Sequence, residues 1–548
     1  MNLFPKFKRF TLVLMIMASI KDLSSYSQNA SDKKFKIDYP VLKTTVISES
    51  YFGQKVADKY RVMEDTKDSS VQEWLKAQKS LSDSVLKGIS YRKELKEQLE
   101  EILYSSNVQG GFPRTAGNKI FLSRAYLKEK IQKVFYKENF DSKELEIFST
   151  ESVNTESKHY NLDYFEPSHD GAYLALGISS NGDEMSVMRI MDMKTKQFLS
   201  DSIERVNYGT PFWIPGKYAF FYNQLRKITS DVQKTAITED SKVRLHLVNT
   251  DAKNDPEIFS SELNKNLGLE KADFPIIYTF PGSDKVIALV FHGTDPNWAL
   301  YMSSINDLTD KQKSSSADWK KLCSPDDKVR SFVLCKNKLF LLSYKTNPNG
   351  ALKRYDVAKS FSEGAVIMEA KDEILDDILQ TNNAVYIKKL KNGISGLEKI
   401  EVNTGKIEKV QLPFGGNVNM KAPFPIPPAH LNSENLFFSI EGWNKEATIY
   451  NYNPTSKQII ETDFHPSGKY GNPTDLVVKE IEVPSYDGAL VPLSIIYSNS
   501  IKLDGNNPAL LIGYGAYGYS FNSTFSLSSL AWLKNGGVYA IAHVRGGG

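Results

Sequence analysis

Residues 507–548 read NPALLIGYGAYGYSFNSTFSLSSLAWLKNGGVYAIAHVRGGG. Two of the runs in this stretch, PALLIGYG and GVYAIAHV, are almost wholly apolar, as expected of strands covered on both faces. Between them SLSSLAWLKN (526–535) has the composition of a helix, and Gly536–Gly537 marks its end. Strand, loop, helix and strand in that order describe a right-handed crossover unit of an α/β sheet. Two more strand candidates precede it, DLVVKEIEVPSYDG (475–488) and VPLSIIYS (491–498). The whole segment, residues 467–548, holds only about 80 residues, too few for a complete domain of this class. It is expected to be the start of one.

Upstream, residues 107–466 have a different texture. Short apolar runs are separated by Gly, Asn, Asp, Ser and Pro: AYLALGIS (172–179), YAFFYN (218–223), KVIALVFHG (285–293), KLFLLSYK (338–345), AVYIKKL (384–390) and NLFFSIEG (435–442). Each is followed by a second strand-like run and a turn, and the segments Asp192 to Lys196, Asn403 to Lys406 and Asn453 to Lys457 suit tight hairpins. The modules recur very roughly every 45–55 residues, a spacing found in propeller blades. Some 360 residues at that period predict approximately seven blades. The repeats are degenerate, so an array of β-sandwiches also fits the pattern.

Residues 28–106 form a third segment. YPVLKTTVISESYFGQKVADKYRVMED (39–65) reads as extended chain with turns. Ser69 followed by Gln72 has the form of a capping box, and Val71, Trp74, Leu75, Leu81, Val85 and Leu86 keep a helical period. A second helix is expected from about Tyr91 to Tyr104, with Leu95, Leu99, Ile102 and Leu103 on one face.

The bulk numbers bound the function. Of 548 residues, 41% are hydrophobic and 24% charged, with 28 Tyr and 29 Phe, which favours β-rich structure. Lys6, Lys8, Arg9 and Lys21 against Asp22 account for the entire net charge of +3, so residues beyond 27 are close to neutral and give a nucleic-acid partner no support. Those first 27 residues have the layout of a secretory signal: a basic start, an apolar run from Phe10 to Ile20, then small and polar residues. The run is too short to span a bilayer, so export with cleavage near Ser27 is expected rather than stable membrane insertion. The only cysteines, Cys323 and Cys335, could pair in an oxidising compartment or remain two separate buried thiols. No His/Cys cluster has metal-ligand spacing, and neither a metal nor a cofactor is expected.

The chemistry concentrates in the glycine-rich loop after PALLIG. It matches neither a P-loop nor a dinucleotide fingerprint. Gly513, Gly515 and Gly518 instead alternate with Tyr514, Tyr517 and Tyr519. In an α/β-hydrolase the loop after the third strand contributes to the oxyanion hole, where a phenol can donate to the developing negative oxygen. A tight turn with packing aromatics would also account for this loop.

The runs IKLDGNNPALLIGYGAYG (501–518), VYAIAHVRGGG (538–548), VPSYDGALVP (483–492) and VADKYRVMED (56–65) with VQEWLKAQ (71–78) together resemble the prolyl oligopeptidase family of serine peptidases. The resemblance spans residues 40–548 and is specific at both ends. It implies a seven-bladed propeller capping an α/β-hydrolase domain built from both chain ends, and hydrolysis of short peptides with the propeller restricting access. By the same resemblance Tyr514 helps form the oxyanion hole, Tyr517 lines a proline-binding pocket, and Arg545 with Gly546 to Gly548 forms a loop beside the site.

A hydrolase nucleophile sits on a Gly-x-Ser-x-Gly turn after the fifth strand. None occurs in these 548 residues; the nearest, Gly393-Ile-Ser-Gly396, lacks the spacing and lies in the β region. The triad is therefore expected outside this stretch, which alone should be inactive. His543 precedes the serine position on a strand and is expected to be structural. Three readings follow: a monomeric serine oligopeptidase cutting after proline, a relative of oligopeptidase B cutting after basic residues, and a non-catalytic propeller binding protein. Tyr60-Arg61-x-x-Glu64-Asp65 and IKLDG lean towards the first.

Overall fold

The computed structural model describes residues 37–548 apart from 181–184, 208, 230–235, 311, 359–363, 392, 422–432, 517–520 and 547–548. The signal-like residues 1–27 lie outside the described residues. Two compact units divide the chain, one ending at Glu97 and one running from Gln98 to Gly548.

In the first unit a hairpin pairs Ile47–Tyr51 with Gln54–Asp58. Arg61 in the short helical turn that follows bridges Glu49 (2.8 Å) and Asp58 (3.1 Å). Helix Ser69–Lys87 starts where its sequence indicates, but its cap is Asp68 rather than Ser69. Asp68 accepts from the backbone N–H groups of Ser70 and Val71 (2.8 and 3.2 Å). A carboxylate is at least as good an acceptor there as a hydroxyl. Of the apolar stripe on this helix only Val71 is buried, whereas Leu75, Val85 and Leu86 are exposed.

Among its described residues the second unit contains seven antiparallel sheets built one after another along the chain, the first between Val108 and Ser149 and the last between Asn417 and Glu461. In the six that follow the first, the four strands are consecutive in sequence and adjacent in space. The six apolar runs singled out above are in every case the second strand of a sheet: Tyr173–Ser180, Ala219–Gln224, Lys285–His292, Lys338–Ser343, Ala384–Lys391 and Leu436–Gly442. Their continuous apolarity has a simple cause. Each such strand sends alternate side chains into two different seams, one on either face of its sheet. Leu339 and Leu341 pack against the fourth sheet, while Phe340 and Leu342 pack against the sixth.

Seven apolar seams join the seven sheets in a ring, which establishes the propeller over the sandwich array. Phe121 and Leu176 meet in the first seam, Phe220 and Met188 in the second, and Phe221 and Val286 in the third. The last closes the circle, bringing Ile120 and Leu122 of the first sheet against Phe437 and Ile449 of the last and Phe464 just beyond it. Among the described residues no strand is shared across it. Backbone contacts reinforce this closure: Gly110 lies so near Phe464 that an added Cβ would stand 1.8 Å from the Phe464 carbonyl oxygen. His465 Nδ1 hydrogen-bonds the Gly110 carbonyl at 2.9 Å.

The predicted hairpins Asp192–Lys196, Asn403–Lys406 and Asn453–Lys457 link third and fourth strands. Lys196 and Lys457 adopt left-handed conformations there (φ 59° and 61°). Cys323 packs in the fourth seam and Cys335 in the fifth, both buried and unpaired, so the two-thiol alternative holds. Burial pushes them up to about 12 and about 11 respectively, leaving them protonated at neutral pH.

The C-terminal sheet has the order Leu476–Pro484, Leu490–Ser498, Val538–Ala542, Ala509–Gly513. The last two strands are parallel and joined through helix Leu527–Lys534, as the crossover pattern requires. Ser526 caps that helix by accepting from the Ser529 N–H, and Leu530, Ala531 and Leu533 are buried beneath it. Strand Ala509–Gly513, expected to be covered on both faces, is instead an edge with Leu510 and Leu511 exposed. Among the described residues nothing pairs with its far side.

Candidate active site

Register decides what the C-terminal sheet presents. Ala509 pairs with Val538 and Gly513 with Ala542, so both parallel strands end at the same level. Tyr514 and Arg545 therefore emerge together beyond the carboxyl ends of neighbouring strands, the edge where open α/β sheets form their crevices. Tyr514 is 44% exposed, and its ring stands edge-on to Phe521 at 6.4 Å.

Arg545 forms an ion pair with Asp487, in the hairpin turn between the sheet's first two strands. That contact holds the Asp487 carboxyl below its usual range, helped by the Ala489 N–H at 3.2 Å. The neighbouring residue completes the arrangement. Gly546 has φ 93°, and a Cβ there would lie 2.5 Å from the Gly515 carbonyl oxygen. Only glycine lets these two loops touch.

Beside them His543 Nε2 lies 2.8 Å from Ser494 Oγ, and Ser494 donates to Glu480 at 2.7 Å. The residue types are those of a hydrolytic triad, but the connections are not. The carboxylate takes the serine's proton directly, leaving the hydroxyl to accept from His543, and Ser494 is 1% exposed. A nucleophile needs the reverse polarity and an open face. His543 is a structural residue here.

The propeller reaches this region through its last sheet. Glu441 accepts from the Phe525 N–H at 3.2 Å, just ahead of the crossover helix, and burial raises its carboxyl above the ordinary value. Two residues on, the Trp443 ring lies 6.3 Å from that of His543. One hairpin of the last blade thus touches both the entry to the helix and the end of the strand. Among the described residues, no three His, Cys, Asp or Glu side chains are grouped to hold a metal ion.

A family model described as the N-terminal β-propeller domain of prolyl oligopeptidase matches residues 40–461, well over half of the chain. The chain belongs to the prolyl oligopeptidase family. A prolyl endopeptidase of Elizabethkingia meningoseptica is 24% identical over 516 residues, covering 93% of this chain and 69% of the relative. Among solved structures, one from a study of two prolyl endopeptidases superposes with a TM-score of 0.79 at 21% identity, covering 93% of this chain and 72% of that one. Oligopeptidase B from Leishmania major superposes at 0.77 with 15% identity and the same coverage. These likenesses agree with the seven-sheet ring and the hydrolase-type sheet already described.

Within this member of the family, the residues singled out from sequence fall unevenly. Tyr514, Arg545 and Gly546 converge at one sheet edge. Tyr517, Gly547 and Gly548 lie outside the described residues. Sequence reasoning missed Asp487, Glu441 and Trp443. Asp487 sits inside the quoted VPSYDG run, but nothing local shows that its partner is 58 residues away. Glu441 and Trp443 belong to a blade hairpin whose pattern resembles every other.

Proposed function

We propose that this chain forms the lid and one wall of the active site of a serine oligopeptidase that cleaves short peptides after proline, with Tyr514 donating to the oxyanion. The convergence of Tyr514 and the Asp487-held Arg545 on one sheet edge, against the last blade, is the observation that carries this reading. A donor fixed before reaction is worth most where charge develops, and removing one costs about 3 kcal/mol. Arg545, steadied by Asp487, and Tyr517 are assigned to substrate binding. The propeller ring screens out folded proteins, and the basic, then apolar start directs the chain to export. No cofactor is needed, and the near-neutral remainder of the chain gives nucleic acid no footing.

The nucleophile and its base are supplied by residues outside these 548, so the 548-residue polypeptide alone is expected to leave a Gly-Pro reporter peptide uncut. Measurable turnover by it would refute that assignment. In the polypeptide extended to include the serine turn, Tyr514→Phe should lower kcat about 100-fold while the melting temperature stays put. An unchanged kcat removes Tyr514 from the oxyanion hole. A reporter panel with Pro, Lys or Arg before the scissile bond separates the post-proline reading from one resembling oligopeptidase B.

A further inference from the structure

Away from the active site, at the outer rim between the second and third blades, lies a groove of about 720 Å³. Its floor is the fourth strand of the second blade, Gln197–Glu204, which turns Ser200, Ser202 and Glu204 outward while Asp201 and Ile203 point inward. Arg205, Arg244 and Lys253 bring three cations to the same groove.

The two arginines are built in rather than waving in solvent. Arg205 Nη1 donates to the Leu225 carbonyl (2.6 Å), and Arg244 Nη1 to the Asp255 carbonyl (2.7 Å). Neither pairs with a carboxylate among the described residues, and Arg244 Nε is buried without a hydrogen-bond partner. Burial and then the neighbouring Arg244 push the Arg205 guanidinium below its ordinary value. Glu204 is near enough to oppose that shift but makes no ion pair, and Asp251 is occupied in capping its own turn at the Lys253 N–H (3.0 Å). Arg205 is also held at φ 63°, a left-handed conformation that a side-chain-bearing residue adopts only at a cost. Two like charges facing one groove, neither paired with a carboxylate, repel each other unless an anion lies between them.

We infer that this groove binds a compact oxyanion of the phosphate type, held between the Arg205 and Arg244 guanidiniums with Ser200, Ser202 and Lys253 at its margin. Guanidinium forks match the paired oxygens of such a group, and hydroxyls serve the remaining ones. The ligand is either free phosphate or the phosphate ester of a small molecule.

Calorimetric titration of the full chain with inorganic phosphate, at ionic strength held constant with sodium chloride, tests this. Saturable binding is expected, with a rise in melting temperature of about 2 °C at ten times the Kd. Glycerol phosphate in a parallel titration distinguishes the two sources by which ligand binds more tightly. Arg244→Gln should weaken binding at least tenfold. Ser202→Asp places a carboxylate opposite the arginines: it should abolish phosphate binding yet melt at or above the wild-type temperature without phosphate. No saturable binding of either ligand up to about 20 mM, or binding that survives both substitutions, overturns the inference.

Discussion

Gly546 and Gly515 stand back to back, closer than any side chain would allow, on loops that leave adjacent parallel strands. A Cβ on Gly546 would meet the Gly515 carbonyl oxygen at 2.5 Å. Tyr514 is thereby coupled to Arg545 through backbone alone. In an enzyme carrying the complete active site, Gly546→Ala should lower kcat about tenfold or more, since a displacement of 1 Å at a catalytic group is costly. The clash and the positive φ also cost stability, as at Gly110, so kcat is read well below the melting temperature of the variant. Wild-type kcat in this variant would show that the contact does not position Tyr514.

A buried charge cluster should make the stability of the propeller fall in mild alkali. His246 is fully enclosed, with Nε2 2.9 Å from Asp201 and Nδ1 2.9 Å from Asp255. Burial alone would lower it, but the two carboxylates outweigh burial and raise it to about 9. The folded value therefore exceeds the unfolded one of about 6.5. Its stabilisation is full below about pH 6.5 and is lost as the pH rises through about 9, amounting to on the order of 3 kcal/mol. Chemical denaturation from pH 6 to 9.5 should show the midpoint falling, and Asp201→Asn should flatten the slope. A midpoint independent of pH in the parent chain would refute the charged state assigned to His246.

The closing seam should be intolerant of a single methyl group. Gly110→Ala forces its Cβ into the Phe464 carbonyl, and overpacking of this kind costs about 1–3 kcal/mol. Thermal melting should drop by several degrees, whereas Gly216→Ala, which meets nothing within 4 Å, reports only the cost of its positive φ. Equal losses in the two variants would argue against a tight closure.

Arg114 and Glu166 form a buried pair between the first and second blades, with Nε and Oε2 3.2 Å apart at 3% and 9% exposure. Neither finds enough further partners, for Arg114 Nε and Nη1 and Glu166 Oε2 lack good hydrogen bonds. Burial raises the Glu166 carboxyl above its usual range, and the pull of the arginine opposes that rise. Removing one partner as Glu166→Leu should cost about 3–5 kcal/mol, while Arg114→Met with Glu166→Leu should be nearly neutral. A denaturation double-mutant cycle gives the coupling. Additive losses would mean that the two side chains do not act as a pair.

The propeller was legible because its physics is local and repeated. Every second blade strand is apolar on both faces, so runs such as AVYIKKL stand out against polar turns, and the crossover unit announces itself through its helix and glycines. The first sheet's equivalent, Lys119–Tyr126, is harder to see because Ser123 and Arg124 interrupt it. Two kinds of feature escaped. Ser69 looked like the cap because a hydroxyl and a Gln fit the pattern, yet the carboxylate one residue earlier took the N–H groups. The partners of Arg545 and His543 are set by strand pairing across dozens of residues, which no window along the chain reports. The loop holding Tyr514 drew notice through its alternating glycines and tyrosines, but the choice of Tyr514 over Tyr517 and Tyr519, and the role of Arg545, came only through resemblance to a family.

Because the ring closes by side-chain packing between its first and last sheets, synthesis leaves one surface waiting far longer than the others. Each middle blade meets its next neighbour after one more repeat. Ile120 and Leu122 must wait for Phe437 and Phe464, more than 300 residues later, which at ribosomal speeds is roughly 15–60 s. Throughout that interval the nascent first blade carries a bare, strand-edged apolar face of the kind that pairs with the wrong partner. The blade made earliest is therefore the one that stays exposed longest before the fold is complete.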